Sequence, residues 1–238
     1  MTRMRSEVRV LYRPHEDKEK VSTLIANLDE RVRKSALFRA HSVAEYFRNS
    51  SLRWWRPELS CFQNSYWEQE NIIGRWLNKI RPLQPLELGP GFGRITHLLE
   101  NYACGRLTLV EINKAACKKL AKEFPGERII NDDLTACRWD IYGPFDLIVA
   151  VEVLVHVQNI PALLSRICNA LYPQKSAILS ITPTEWYERY EIRRTIIHRG
   201  IDKREFEELA LKFFQRKALH QTSNGQLLTY WFIKKETA

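Results

Sequence analysis

An α/β fold, with a parallel sheet covered by helices on both faces, is predicted by three observations. After Pro82, short apolar runs alternate with stretches of helical periodicity. A glycine-rich turn, "LELGPGFGRI" at residues 86–95, directly follows the first of those runs, and the chain closes with two strand-like segments joined by Ser223-Asn224-Gly225. Alternating strand and helix is the pattern of a parallel sheet. The short final link suits an antiparallel hairpin.

Each element follows from local pattern. Between Glu16 and Arg48, Val21, Leu24, Ile25, Leu28 and Val32 recur at three- and four-residue spacing, the period of an amphipathic helix. "SLRWWRPELSCF" then reads as an aromatic break, and a further helix over Tyr66–Ile80 leads to Pro82. Residues 1–80 are accordingly expected to form an N-terminal helical extension or lid, and 81–238 the domain that holds the sheet. Its strands are "PLELG", "LTLVEI", "RIIN", "FDLIVAV" and "SAILSIT", with helices over 94–103, 113–124 and 159–171 between them. A helix over Lys203–Phe214 and the strands "QRKALHQT" and "LLTYWFIKK" complete it.

With 238 residues, 45% apolar and 27% charged, the chain is able to bury a full core. No segment approaches the roughly 20 apolar residues of a membrane span, and "MTRMRSEVRVLYRP" lacks the apolar stretch of a signal peptide, so a cytoplasmic protein with no membrane contact is expected. Cys61, Cys104, Cys117, Cys137 and Cys168 are odd in number, scattered and without a C-x-x-C pair, which argues against a disulfide framework and a structural zinc site. The net charge of +9 comes from the flanks, because residues 58–184 hold 13 basic and 13 acidic side chains. A basic rim attracts nucleic acid or an anionic small molecule, but it equally serves as a solvated surface.

The glycine turn narrows the ligand. Gly89, Gly91 and Gly93 lie where the first strand turns into the first helix, the crevice end of an open parallel sheet. Glycine lets a ligand approach the main chain closely. Arg94 stands where a dinucleotide fingerprint wants a sixth-position glycine, and the Lys-Ser/Thr pair of a nucleoside triphosphate loop is absent. Glu87, Glu111 and "NDD" (Asn131, Asp132, Asp133) instead put carboxylates at three strand ends. Such a rim repels phosphate and attracts a cationic nucleoside.

In order and spacing, "ELGPGFGR", the acidic end of "LTLVEI", "NDD" and "FDLIVAVEVLVHV" resemble the successive motifs of class I S-adenosylmethionine-dependent methyltransferases, over about residues 82–160. The resemblance implies a Rossmann-like, doubly wound, seven-stranded sheet with an antiparallel last strand. It implies S-adenosylmethionine as cofactor and S-adenosylhomocysteine as product. Glu87 and the glycines would hold the methionine part, Glu111 the ribose and Asp132 the adenine amino group. Asp133 or Leu134 would lie against the adenine ring, with Val151 or Glu152 closing the methionine end.

Methyl transfer needs alignment and, for a hydroxyl or protonated amine, removal of a proton. His156 in "EVLVHV" is the candidate base, and His198 a second candidate. This segment is similar to the E-x-x-E-H stretch of ubiquinone-type O-methyltransferases and of small-RNA 2′-O-methyltransferases, where two carboxylates and a histidine bind a divalent metal. Val155 replaces the second carboxylate here, so no metal is expected. Acceptor recognition falls to aromatic residues flanking the core: Trp54, Trp55, Tyr66 and Trp67 before it, Trp186, Tyr187 and Tyr190 after it. The expected function is methyl transfer to oxygen or nitrogen of a small-molecule acceptor. An RNA acceptor served by the basic flanks, and a catalytically silent cofactor-binding protein, are the alternatives.

Overall fold

The computed structural model describes residues 47–48, 63–189 and 200–236. Trp54, Trp55, Tyr190, His198 and the expected amphipathic helix before Phe47 lie outside the described residues. Helix α1 (Gln63–Ile80) precedes β1 (Pro85–Leu88), α2 (Arg94–Tyr102), β2 (Thr108–Glu111), α3 (Lys114–Glu123) and β3 (Arg128–Asn131). β4 (Phe145–Ala150), α4 (Ile160–Ala170), β5 (Leu171–Ile181) and α5 (Thr184–Arg189) follow, and α6 (Lys203–Phe213), β6 (Phe214–Gln221) and β7 (Leu228–Lys234) close the fold.

The seven strands form one sheet in the order β3-β2-β1-β4-β5-β7-β6. β1 to β5 pair in parallel, and β7 inserts antiparallel between β5 and β6. This is the doubly wound, Rossmann-like sheet with an antiparallel last strand that the sequence predicts. β5 begins at Leu171, five residues ahead of the "SAILSIT" segment, because Leu171 pairs with Phe145 before the register shift at Phe145/Leu147.

Strand periodicity sends alternate side chains to two separate cores. On one face Leu86, Leu88, Ile148, Ala150, Leu179, Tyr230 and Phe232 pack with Leu163, Leu164 and Ile167 of α4 and Phe206 of α6. On the other, Leu109, Leu147, Val149 and Ile178 meet Ile73, Trp76 and Leu77 of α1, Leu99 of α2, and Leu120 and Phe124 of α3. Helix α1 thus packs into the sheet's own core, although a division at residues 80/81 would assign it to the extension. No described helix is long and apolar enough to cross a membrane.

Several polar contacts set the frame of the crevice. Asp146 accepts from the Leu83 and Gln84 amides at 2.6 and 2.9 Å, fixing the entry to β1 at the end away from the glycine turn. Asn113 caps α3 by accepting from the Ala115 and Ala116 amides, and Asn159 caps α4 through the Ala162 amide. Both caps follow strand ends, so they help to fix where the loops at the crevice turn.

Candidate active site

The carboxyl ends of β1, β2, β3 and β4 converge on the glycine turn. Gly89, Gly91 and Gly93 all have positive φ, at 68°, 55° and 89°. A Cβ at Gly89 would lie 2.4 Å from Val153 Cγ2, so glycine there answers both the backbone conformation and the close approach of the loop after β4. At Gly93, which caps α2, a Cβ would crowd Leu120 and Phe124 of α3 at 3.1 Å.

Glu111 ties the second strand to this turn. Only 5% exposed, its carboxylate accepts the Gly91 amide through Oε2 at 2.9 Å and the Asn113 amide through Oε1 at 2.8 Å. Burial raises its pKa, opposed by those backbone hydrogen bonds. Asn131 Nδ2 donates to the Glu111 carbonyl at 2.9 Å, and the Asp132 amide to the same oxygen at 3.1 Å, which draws the end of β3 to the end of β2.

Beyond β3, Asp132 Oδ1 accepts the Asp133 amide, and Asp133 Oδ1 accepts both the amide and the hydroxyl of Thr135. Leu134 packs on the core, while its carbonyl accepts from Trp139 Nε1 at 2.7 Å and Arg166 Nη1 at 3.1 Å. The Arg166 guanidinium also covers the Trp139 ring at 4.6 Å and donates to the Cys137 carbonyl. An α4 arginine therefore braces the whole 134–140 loop, a role that no motif in the sequence signals.

On the β1 and β4 side, Glu87 is 3% exposed and accepts the Thr96 hydroxyl at 2.6 Å. Burial pushes its pKa up to about 7, against the opposing effects of the Thr96 hydrogen bond and the Arg94 charge and with a small contribution from Glu111. Glu152 adopts φ of 59°; its carboxylate accepts the Ser180 hydroxyl at 2.7 Å while its amide donates to the same hydroxyl at 2.8 Å. Burial also raises the Glu152 pKa, with hydrogen bonds from Ser180, Gln69 and Thr182 and the Arg94 charge opposing it. Val151 is buried beside these groups in the α1-side core.

A raised carboxyl pKa means that the folded protein holds the Glu87 proton more tightly than the unfolded chain does. The stability from burying neutral Glu87 is fully present below its ordinary 4.5 and is lost as pH rises through about 7. Glu87→Gln removes that loss. Its stability is expected to gain on wild type as pH rises from roughly 4.5 through 7, by on the order of 3 kcal/mol at the alkaline end, as read from melting curves. Parallel melting curves across that range would show instead that Glu87 does not titrate differently on folding.

His156 ends a 3-10 turn (Leu154–His156) just past β4. Phe47, 8% exposed, sets its ring 4.5 Å from the His156 imidazole, and its carbonyl accepts Asn113 Nδ2 at 2.9 Å. One N-terminal residue therefore touches both the loop after β2 and the loop after β4. Val155 is buried in the α4-side core.

The aromatic candidates divide. The Tyr66 ring lies 4.4 Å beneath the Arg94 guanidinium at the crevice. Trp186 and Tyr187 are buried and pack edge to face at 5.2 Å. Trp67 stands 67% exposed, because the buried row of α1 runs Ser65, Gln69, Ile73, Trp76, Leu77 and leaves position 67 on the opposite face. Arg94 and Gln69, which no site motif of the sequence assigned, stand at the centre of this side: Arg94 Nη2 donates to Gln69 Oε1 at 2.7 Å.

Residues 86–174 match a family model described as a methyltransferase domain. The chain carries a methyltransferase domain. Its match begins within β1 and runs into β5, so it contains the glycine turn, Glu111, Asp132, Glu152 and His156. Among solved structures, the chain is similar to the N-methyltransferase NodS from Bradyrhizobium japonicum in complex with S-adenosylhomocysteine, at 15% identity and TM-score 0.61, covering 81% of this chain and 97% of that one. It is also similar to magnesium protoporphyrin IX methyltransferase from Synechocystis with bound S-adenosylmethionine, at 16% identity and TM-score 0.62, covering 81% and 95%. A TehB-like methyltransferase from Corynebacterium glutamicum aligns over 90% of this chain and 99% of its own, at 17% identity and TM-score 0.54. At these identities the likeness is one of fold. No curated protein sequence matches the chain.

Proposed function

We propose that this methyltransferase moves a methyl group from S-adenosylmethionine to an oxygen or nitrogen of a small-molecule acceptor, releasing S-adenosylhomocysteine. The observation that carries the reading is the contact of Glu111 with the Gly91 amide, which sets a buried carboxylate against a glycine-rich turn. When bound, the sulfonium supplies an electrophilic methyl carbon, and the protein's work is to align the acceptor with it and keep water out.

The residues suit the parts of that cofactor. Glu87 faces its ammonium, the glycine turn lies against the methionyl chain, and Arg94, acting electrostatically on both Glu87 and Glu152, meets its carboxylate. Glu111 keeps lone pairs for the ribose hydroxyls, Asp132 takes the adenine amino group, and Asp133 and Leu134 flank the ring. Val151 and Glu152 close the methionine end. His156 receives the acceptor's proton at a ring nitrogen, held by the Phe47 ring. That contact supports a lid role for the N-terminal residues, and Tyr66 at the same edge supports acceptor binding by α1.

Small acceptors are favoured by the solved relatives described as an N-methyltransferase and a porphyrin methyltransferase. Calorimetric titration with S-adenosylmethionine, S-adenosylhomocysteine and NAD tests the cofactor. The two sulfur nucleosides are expected to bind and NAD to give no heat; retention of NAD with indifference to the others would overturn the reading.

A further inference from the structure

We infer that Gln69 is a positioning residue for the cofactor, holding the Arg94 guanidinium toward the methionyl carboxylate; this rests on the proposed use of the crevice for S-adenosylmethionine. Gln69 is 0% exposed, in the buried row of a helix whose neighbouring inward positions are Ile73, Trp76 and Leu77. A buried amide in such a row is costly unless both of its ends are bonded. Both are: Nε2 donates to Thr229 Oγ1 of β7 at 3.0 Å, and Oε1 accepts Arg94 Nη2 at 2.7 Å.

Arg94 itself opens α2 directly after Gly93, and it is oriented from α1 by three contacts. Besides Gln69, these are Glu70 Oε1 at 3.4 Å and the Tyr66 ring at 4.4 Å. Of the three, Gln69 makes the short hydrogen bond, and it does so with a neutral oxygen. A neutral acceptor fixes the planar fork without cancelling its charge, so the guanidinium keeps its attraction for a carboxylate. That matters in a crevice where Glu87, Glu111 and Glu152 repel an anionic group. Thr229 completes the device, because a side chain tethered to β7 at one end has little freedom at the other.

The test separates the amino-acid end from the rest of the cofactor, and the Arg94 variants tie the loss to the carboxylate's partner. S-adenosylhomocysteine carries it; 5′-methylthioadenosine shares the adenine, ribose and sulfur but lacks the amino-acid end. Gln69→Met is expected to weaken S-adenosylhomocysteine about tenfold while changing 5′-methylthioadenosine less than about twofold. Arg94→Met is expected to show the same selective loss, and the double variant to lose little more than Arg94→Met alone. Thr229→Val, which keeps the Gln69–Arg94 bond and frees the other end, provides a milder second variant with a selective loss of about threefold. Melting curves confirm that each variant is folded under the titration conditions.

Parallel weakening of both nucleosides by Gln69→Met and Thr229→Val would show that Gln69 only supports the fold, and overturns the assignment. Unchanged binding of both ligands overturns it as well. Wild-type protein that binds neither nucleoside would instead bring down the cofactor reading on which the assignment stands.

Discussion

Gly89→Ala is expected to lower the melting temperature by about 10 °C and to remove measurable binding of S-adenosylhomocysteine. Two costs combine. At φ of 68° an L side chain is strained by about 1–2 kcal/mol. The new Cβ would also lie 2.4 Å from Val153 Cγ2, inside any tolerated contact, and such overpacking adds about 1–3 kcal/mol. Because Val153 is buried among core residues, relief has to come from movement of the turn itself. The two costs are separable: in a Val153→Ala background the steric part should vanish and the conformational part persist. A Gly89→Ala protein that melts and binds like wild type would mean that the turn is not held as described.

Glu111→Ala is expected to weaken S-adenosylhomocysteine at least about 100-fold, the affinity equivalent of roughly 2.7 kcal/mol. The substitution strips the acceptor from two amides at once, those of Gly91 and Asn113. A buried donor without an acceptor costs about 1–3 kcal/mol, so the turn is expected to rearrange even before the ribose contacts are counted. Glu111→Gln retains one carbonyl oxygen and is expected to fall between, at about a tenfold loss. Titration calorimetry on the three proteins checks the order, and equal affinity across them would remove Glu111 from the binding site.

Much of this architecture is legible in the chain because its cause is local. Strands β1, β2 and β4 are short and buried on both faces, so they appear as apolar runs such as "FDLIV", and the turns after them carry glycine, asparagine or aspartate. The site motifs are legible for a related reason: Glu87, Glu111, Asp132 and Glu152 sit at or beside strand ends, and strand ends are visible in sequence. What escapes is contact between distant segments. Gln69 reads as one polar residue in an amphipathic helix until Thr229, 160 residues away, is seen to accept its amide hydrogen. Arg166 reads as a helix surface residue until the 134–140 loop folds onto it. Aromatic content alone does not assign Trp67 to a helix face, and the packing of Ile73 and Leu77 turns it outward.

The β6–β7 turn is fastened to α1 through the Ser223 amide and hydroxyl, both donating to the Glu68 carboxylate, while Trp231 packs beside Trp76 with ring centroids 6.0 Å apart. During synthesis α1 leaves the ribosome before the seven strands of the sheet, and Ser223 follows its partner Glu68 by 155 residues. Until they arrive, Gln69 lacks its Thr229 acceptor and Trp76 its Trp231 neighbour. Completion of the inner wall is thereby deferred until β7 is made, and a nascent chain halted before it would lack the Thr229 tether of Gln69.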